Sequence, residues 1–259
     1  MAMLNLQSVL VTGANRGIGL ELVKQLVGKS HQIFATCRDP EGPRGAVRKL
    51  GILAHTNHKH KNFLFVAVDA SEPSSIRAAA AKVTERLKGA GLNLLINNAG
   101  IVKPGDLEST TPEVMSELYN TNVIGPLMVS QVFLPLLRKA AQGSPQKGMS
   151  CSKAAIINMS SEGGSITNLL LWESAPVIAY RCSKAALNML TRCQGLGLAE
   201  DKILCIALHP GWVQTDMGAE ADPPQTVQSC VQDILNTLSR LSEKDSGMFM
   251  NWEGKAIPW

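Results

Sequence analysis

The chain has 259 residues, 45% apolar and 18% charged, a balance that supports a sizeable buried core and excludes a disordered tail. Against 21 Asp and Glu stand 25 Lys and Arg, a formal charge of +4, and His58-Lys59-His60-Lys61 is the one dense basic run, so no nucleic-acid surface is expected. The longest apolar runs fall short of a bilayer span, so no membrane-crossing helix is expected either.

The N-terminal Met1–Leu6 lacks the basic head and apolar stretch of a signal peptide. Six scattered cysteines (Cys37, Cys151, Cys182, Cys193, Cys205, Cys230) form no C-x-x-C pair, which fits free thiols in a reducing, cytoplasmic setting. From there, apolar runs alternate with helical spacing. Ser8–Thr12 reads as a strand and Gly17–Val27 as a helix; Gln32–Cys37 is a second strand, and Pro40–Leu50 a short helix. Phe63–Val68, Leu92–Ile96, Ala154–Met159, Ile203–Leu208 and Met248–Asn251 read as further strands. Between them lie helices over Ser74–Leu87, Pro112–Lys139, about Ala179–Ala199 and about Pro224–Leu241. Continuous apolar runs suit strands covered on both faces, and β-α alternation of this kind gives a parallel sheet in an α/β fold. No repeat or Pro/Ser-rich linker divides the chain, so residues 1–259 are expected to form one domain.

Some segments fall outside this pattern. Gly51–Lys61 carries His55, His58 and His60, but no neighbouring Cys, Asp or Glu completes a tetrahedral metal set, and a solvated loop is the simpler reading. Gln142–Ser152 is polar and Gly/Ser-rich. Residues 162–179 and 212–224 are longer than connections require and are the expected substrate loops.

Thr12-Gly13-Ala14-Asn15-Arg16-Gly17-Ile18-Gly19 joins the first strand to the first helix. Gly13 suits the tight turn, Gly17 lets a pyrophosphate approach the backbone, and Gly19 lets the helix pack against the sheet. The helix N-terminus then offers free N–H groups to the anion. At the end of the second strand, where a carboxylate would bond the ribose 2′-hydroxyl of NAD, the chain has Thr36-Cys37-Arg38. Arg38 and Arg16 are placed to bracket a 2′-phosphate, which favours NADPH. Tyr180 and Lys184, four apart on a helix, share one face, so the ammonium is expected to lower the phenol pKa and ready Tyr180 as a general acid. Pro126, four residues after Asn122, has no N–H for the Asn122 carbonyl, and a kink is expected there.

The G-x-x-x-G-x-G spacing, Asn97-Asn98-Ala99-Gly100, Asn122, Ser161, Tyr180-Arg181-Cys182-Ser183-Lys184, Pro210-Gly211 and Thr215 occur in the order found in the short-chain dehydrogenase/reductase family, which the chain resembles along essentially its whole length. Thr36-Cys37-Arg38, Ile156–Ser161, Leu208–Val213 and Asn251-Trp252-Glu253-Gly254 are similar to sniffer-type carbonyl reductases and C-factor-like proteins. The resemblance implies a Rossmann-type doubly wound sheet of about seven strands in order 3-2-1-4-5-6-7, helices on both faces, and a site at the carboxyl ends of the strands. It implies Asn122, Ser161, Tyr180 and Lys184 as the catalytic set, the Asn122 main-chain carbonyl holding a water that contacts Lys184. The implied NADPH/NADP+ site comprises Gly13, Asn15, Arg16, Gly17, Ile18, Gly19 and Arg38, with Asp69 at the adenine, then Asn98, Ala99, Gly100, Tyr180, Lys184, Pro210, Gly211, Val213 and Thr215. The expected reaction is reduction of apolar aldehydes, ketones or quinones, with no metal. Two alternatives stand beside it: an NAD(P)-dependent alcohol or steroid dehydrogenase, and a cofactor-binding signalling protein. The helices at Pro112–Lys139 and Ala179–Ala199 resemble the family's dimer-forming pair, yet some of its carbonyl reductases are monomeric, so a homodimer stays open.

Overall fold

The computed structural model describes Leu4 and residues 6–42, 63–217 and 223–259. In chain order the elements are β1 (Leu6–Val11), α1 (Gly17–Leu26), β2 (Ser30–Cys37), β3 (Phe63–Ala67), α2 (Pro73–Leu87), β4 (Leu94–Asn97), α3 (Pro112–Tyr119), α4 (Gly125–Gly143), β5 (Ala155–Met159), α5 (Ile178–Gly197), β6 (Leu204–His209), α6 (Val227–Leu238) and β7 (Met248–Asn251). All strand pairs are parallel, in the order β3-β2-β1-β4-β5-β6-β7. This is the Rossmann-type order that the resemblance implied. The order reverses between β1 and β4, and there the carboxyl ends of the strands open a crevice. The short helix expected over Pro40–Leu50 and the loop of His55, His58 and His60 lie outside the described residues, apart from positions 40–42, which are not helical.

Alternation along each strand divides the core into two layers. Val9, Val11, Ile157 and Ile206 face α1 and α6, meeting Leu22, Val23, Leu26, Val231, Ile234 and Leu238. Leu10, Leu95, Ile156 and Cys205 face the other way, meeting Ile76 and Val83 of α2 and Val129, Phe133 and Leu137 of α4. No disulfide joins the cysteines among the described residues, and Cys182 and Cys193 are exposed.

The expected single helix over Pro112–Lys139 is instead α3 and α4 joined by a π-helical turn, Asn120–Ile124. Pro126 withholds an N–H one turn beyond Asn122, and Gly125 donates to the Asn120 carbonyl five residues back, so the wider turn absorbs the interruption. The combined run Pro112–Gly143 is long and apolar enough to cross a membrane by length and composition, contrary to the sequence expectation. Here its apolar residues Val129, Phe133, Leu136 and Leu137 are spent on the core.

The amino ends of three strands are held by one carboxamide. Asn93 Oδ1 accepts from the Ser8 N–H at 3.1 Å and Ser8 Oγ at 3.0 Å, while Nδ2 donates to the carbonyls of Ser152 at 3.1 Å and Lys153 at 2.9 Å. Asn93→Ala leaves the Ser8 N–H and the Ser152 and Lys153 carbonyls without this partner, at about 1–3 kcal/mol for each that cannot reach water, while the Ser8 hydroxyl keeps the Gly91 carbonyl at 3.0 Å. Urea denaturation should therefore show a loss of about 3 kcal/mol with an unchanged m value.

Candidate active site

The β1–α1 turn forms one wall of a cleft of about 650 Å³ at the carboxyl ends of the strands. Gly13 has φ of +64°, and a Cβ there would stand 3.0 Å from the Ala99 Cα. A Cβ on Gly19 would stand 2.3 Å from the Gly13 carbonyl oxygen, so this residue serves helix-to-turn packing and does not line the cleft. Thr12, which sequence reasoning missed, ties the turn to β4: its Oγ1 accepts from the N–H groups of Asn98 and Ala99, each at 3.0 Å. The only signal for it was its place directly before Gly13. Helix α1 has no side-chain N-cap and no acidic residue in its first turn, so its N-terminal N–H groups suit an anion. Gly13, Asn15, Arg16, Gly17 and Ile18 line the cleft, as do Asn98, Ala99 and Gly100 on the opposite side. A glycine cradle, an uncapped helix end and cations nearby fit the pyrophosphate of a dinucleotide.

Arg38 and Asp69, at the ends of β2 and β3, line the same cleft. Hydrogen bonds from Ser71, aided by the Arg38 charge, hold the Asp69 carboxyl below its ordinary range. Arg16 also reaches the cleft, but its guanidinium pairs with Asp216 at 3.0 Å, bridging the glycine turn to the segment after β6. The expected two-arginine bracket is therefore present as a juxtaposition, with one member engaged elsewhere.

Tyr180 and Lys184 project from the first turns of α5 into the same cleft. Lys184 is buried, and its Nζ donates to the Met159 carbonyl at 2.8 Å and lies 5.6 Å from the Tyr180 ring centroid. Burial pulls its pKa down to about 8. Ser161 hydrogen-bonds the Tyr180 phenol, and its Oγ accepts from the Gly163 N–H at 3.1 Å. Lys184 was expected to lower the phenol pKa. Here it is raised, because burial penalises the phenolate and outweighs the opposing Ser161 bond.

Asn122 is fully buried behind the cleft wall, and Ser161, half-buried, stands beside the Tyr180 phenol. The fully buried Asn122 carboxamide brackets Ile101, accepting from its N–H and donating to its carbonyl, each at 2.9 Å. It also donates to Ser183 Oγ at 3.0 Å. The sequence reading concerned only the main chain of Asn122 and missed this side-chain role.

After β6, Pro210 and Thr215 line the cleft, whereas Gly211 and Val213 do not. Gly211 has φ of +91°, and a Cβ there would come within 2.6 Å of Gln225 Oε1 and 3.0 Å of the Trp252 ring. Val213 is buried and bridged to Gln225. Both residues shape the loop. The apolar stretch expected to close over the cleft is also displaced: Leu169, Leu170, Leu171 and Trp172 are about half-exposed, and none lines it. Met217 does line the cleft, and Trp212 does not. Glu220 and Asp222 lie outside the described residues. His209, at the end of β6, is enclosed between Glu162, at 3.6 Å from its Nε2, and the Trp252 ring. Burial pulls its pKa down to about 4 despite that carboxylate.

The short chain dehydrogenase family model matches residues 7–226, and the chain belongs to that family. It is thus an oxidoreductase of a family that works with nicotinamide cofactors. The NADPH-bound carbonyl reductase from chicken fatty liver is 55% identical, with a TM-score of 0.93 over 99% of this chain and 100% of that one. Carbonyl reductase Sniffer of Drosophila melanogaster is 37% identical, with a TM-score of 0.91 over 98% of this chain and 100% of that one. C-signal of Myxococcus xanthus is 32% identical over 172 residues, 65% of this chain and 93% of its own length.

His209 carries a pH dependence. With a folded pKa of about 4 against an ordinary 6.5, the unfolded chain takes up this proton first as pH falls. Stability is therefore lost between pH 6.5 and 4, by about 2–3 kcal/mol at 1.4 kcal/mol per unit. In urea titrations, the stability difference between wild type and His209→Gln should shift by that amount from pH 7 to pH 4, against the wild type.

Proposed function

We propose that this protein is an NADPH-dependent carbonyl reductase acting on apolar aldehydes, ketones or quinones. The observation that carries the reading is that Tyr180, with Ser161 beside its phenol, and Lys184 face the same cleft as Arg38. The 55% identity to an NADPH-bound carbonyl reductase supports it. Gly13, Asn15, Arg16, Gly17 and Ile18 would hold the cofactor's pyrophosphate, Arg38 its 2′-phosphate, and Asn98, Ala99, Gly100, Pro210 and Thr215 its remainder. When bound, NADPH supplies the hydride for the carbonyl carbon.

The chain's own part is proton handling. With its pKa raised, Tyr180 keeps its proton at neutral pH and presents it to the substrate oxygen. Ser161 hydrogen-bonds that oxygen as charge develops on it. Lys184, with a pKa of about 8, is mostly protonated at pH 7 and stabilises the phenolate that the transfer leaves. The main-chain carbonyl of Asn122 is the proposed holder of a water in contact with Lys184. Met217 and Ile101, apolar side chains of the cleft wall, favour apolar substrates over anionic keto acids.

A panel of apolar aldehydes, ketones, quinones and keto acids, run with NADPH and with NADH, tests the assignment. Tyr180→Phe should lower kcat about 10²–10⁴-fold while NADPH affinity stays within about twofold. Turnover above about a tenth of wild type would remove Tyr180 from the acid role.

Arg38→Asp should act on cofactor choice. Exchanging a charge-assisted bond to the 2′-phosphate for a repulsion lowers the NADPH-to-NADH ratio of kcat/KM by about 10–100-fold. A ratio that hardly moves would place the phosphate clamp on other residues.

A further inference from the structure

Tyr180 and Lys184 share α5, but Ser161 does not: it stands where β5 has ended and a single 3₁₀ turn, Glu162–Gly164, begins. Its Oγ has two commitments, the Gly163 N–H at 3.1 Å and the Tyr180 phenol. The turn closes on itself through the Gly164 N–H, which donates to the Ser161 carbonyl at 2.9 Å, and the Ser165 N–H, which donates to the Glu162 carbonyl at 2.9 Å. These bonds shape the turn, but none of them fixes it to the helix that carries Tyr180.

Asn188 supplies that link. It lies on α5 one turn after Lys184, is only 3% exposed, and does not line the cleft. Its Oδ1 accepts from Ser160 Oγ at 2.6 Å, and its Nδ2 donates to the Gly164 carbonyl at 3.3 Å. One carboxamide thus holds the residue before Ser161 and the last residue of the turn after it, so the main chain is caught on both sides of Ser161. Both bonds are buried, where water does not compete for them. Packing adds to the hold: a Cβ on Gly164 would stand 2.7 Å from the Lys184 carbonyl carbon and 2.9 Å from the Ala185 nitrogen, so the turn lies directly on the α5 backbone. Lys184 Nζ reaches the Met159 carbonyl at 2.8 Å, and Asn188 reaches the next residue, Ser160. The end of β5 is therefore tied to α5 at successive residues, up to the one that presents its hydroxyl to Tyr180.

We infer that Asn188 is a positioning residue that keeps the Ser161 hydroxyl at hydrogen-bonding distance from the Tyr180 phenol by clasping both flanks of Ser161 to α5. Its effect on turnover rests on the proposed reductase reading. The hold on the turn rests on the hydrogen bonds and the packing alone.

The test is Asn188→Ala in the full chain, alone and combined with Ser161→Ala. Alone, it should lower kcat about tenfold with KM and NADPH affinity within about twofold, because a small misplacement of a reacting group costs turnover and not binding. In the Ser161→Ala background no hydroxyl remains to be positioned, so adding Asn188→Ala should change kcat by less than about twofold. Amide hydrogen exchange should quicken about tenfold at Gly164, whose N–H donates to the Ser161 carbonyl. Ser160→Ala removes one arm of the clasp and keeps the other; it should show the same pattern reduced in size, and it takes the place of Asn188→Ala should that variant not fold. An unchanged kcat, or losses that multiply in the double variant, overturn the role at Ser161. A loss of NADPH affinity as large as the loss of kcat overturns it as well, because it indicates a fault in the whole fold. Unchanged exchange at Gly164 overturns the hold. If the wild type reduces no carbonyl, the reductase reading and the role in turnover fall together, while the exchange comparison still decides whether Asn188 holds the turn.

Discussion

The carboxamide of Asn122 joins two parts of the site that no covalent or sheet connection brings together. The loop after β4 carries the Asn98–Ile101 wall of the cleft, and α5 carries Tyr180 and Lys184. Asn122 binds both edges of the Ile101 peptide and the Ser183 hydroxyl, whose Oγ in turn donates to the Tyr180 carbonyl at 2.7 Å. The contact leaves little room: a Cβ on Gly100 would lie 3.2 Å from Asn122 Oδ1 and 3.6 Å from Lys184 Nζ. With both its donor and acceptor ends engaged, the enclosed side chain fixes this spacing in the way that fully satisfied buried polar groups do. The π-helical turn makes the placement possible, since it sets Asn122 between two helical runs instead of within a regular one.

Burial works in a particular direction at this site. It raises Tyr180 and lowers Lys184, so each is pushed towards its neutral form. The energetic cost is tolerated because each keeps a partner, Ser161 for the phenol and the Met159 carbonyl for the ammonium. The neighbourhood is less than fully satisfied elsewhere. Asn97 Oδ1, Arg181 Nη1 and His209 Nδ1 are buried polar atoms without a protein partner, and all lie on elements that border the site. Across the sheet interior the polar groups are better matched: Asn97 Nδ2 donates to Asn158 Oδ1 at 2.9 Å, and Asn158 Nδ2 donates to Thr191 and Gln194, each at 2.8 Å. Gln25 Oε1 and Gln225 Oε1 are likewise buried without a protein partner, so such atoms are not confined to the surroundings of the cleft.

Much of the strand content was readable because it depends on local pattern. Strands buried on both faces appear as unbroken apolar runs, and their ends shifted by two residues at most. Gly13, Gly17 and Gly19 were legible for a related reason, since a missing side chain at those positions is itself the signal. Thr12 and the Asn122 carboxamide were not legible. Their partners, Asn98, Ala99, Ile101 and Ser183, are distant in sequence or across a turn, and a small polar residue looks the same whether it is enclosed or solvated. The Leu169–Trp172 stretch misled for the same reason: apolar composition says that a segment seeks cover, not which surface supplies it.

By itself the sequence determined the parallel α/β sheet, the glycine turn at its head, the i, i+4 placement of Tyr180 and Lys184, and the break that Pro126 imposes on the preceding helix. These follow from periodicity, from steric permission and from the absence of one N–H, all local in the chain. The tertiary structure decided the protonation tendencies of Tyr180, Lys184 and His209, the engagement of Arg16 by Asp216, and the clasp of Asn188 around Ser161. Each depends on how much water is excluded and on which distant group fills the remaining hydrogen-bonding direction, and both are set only when the layers close.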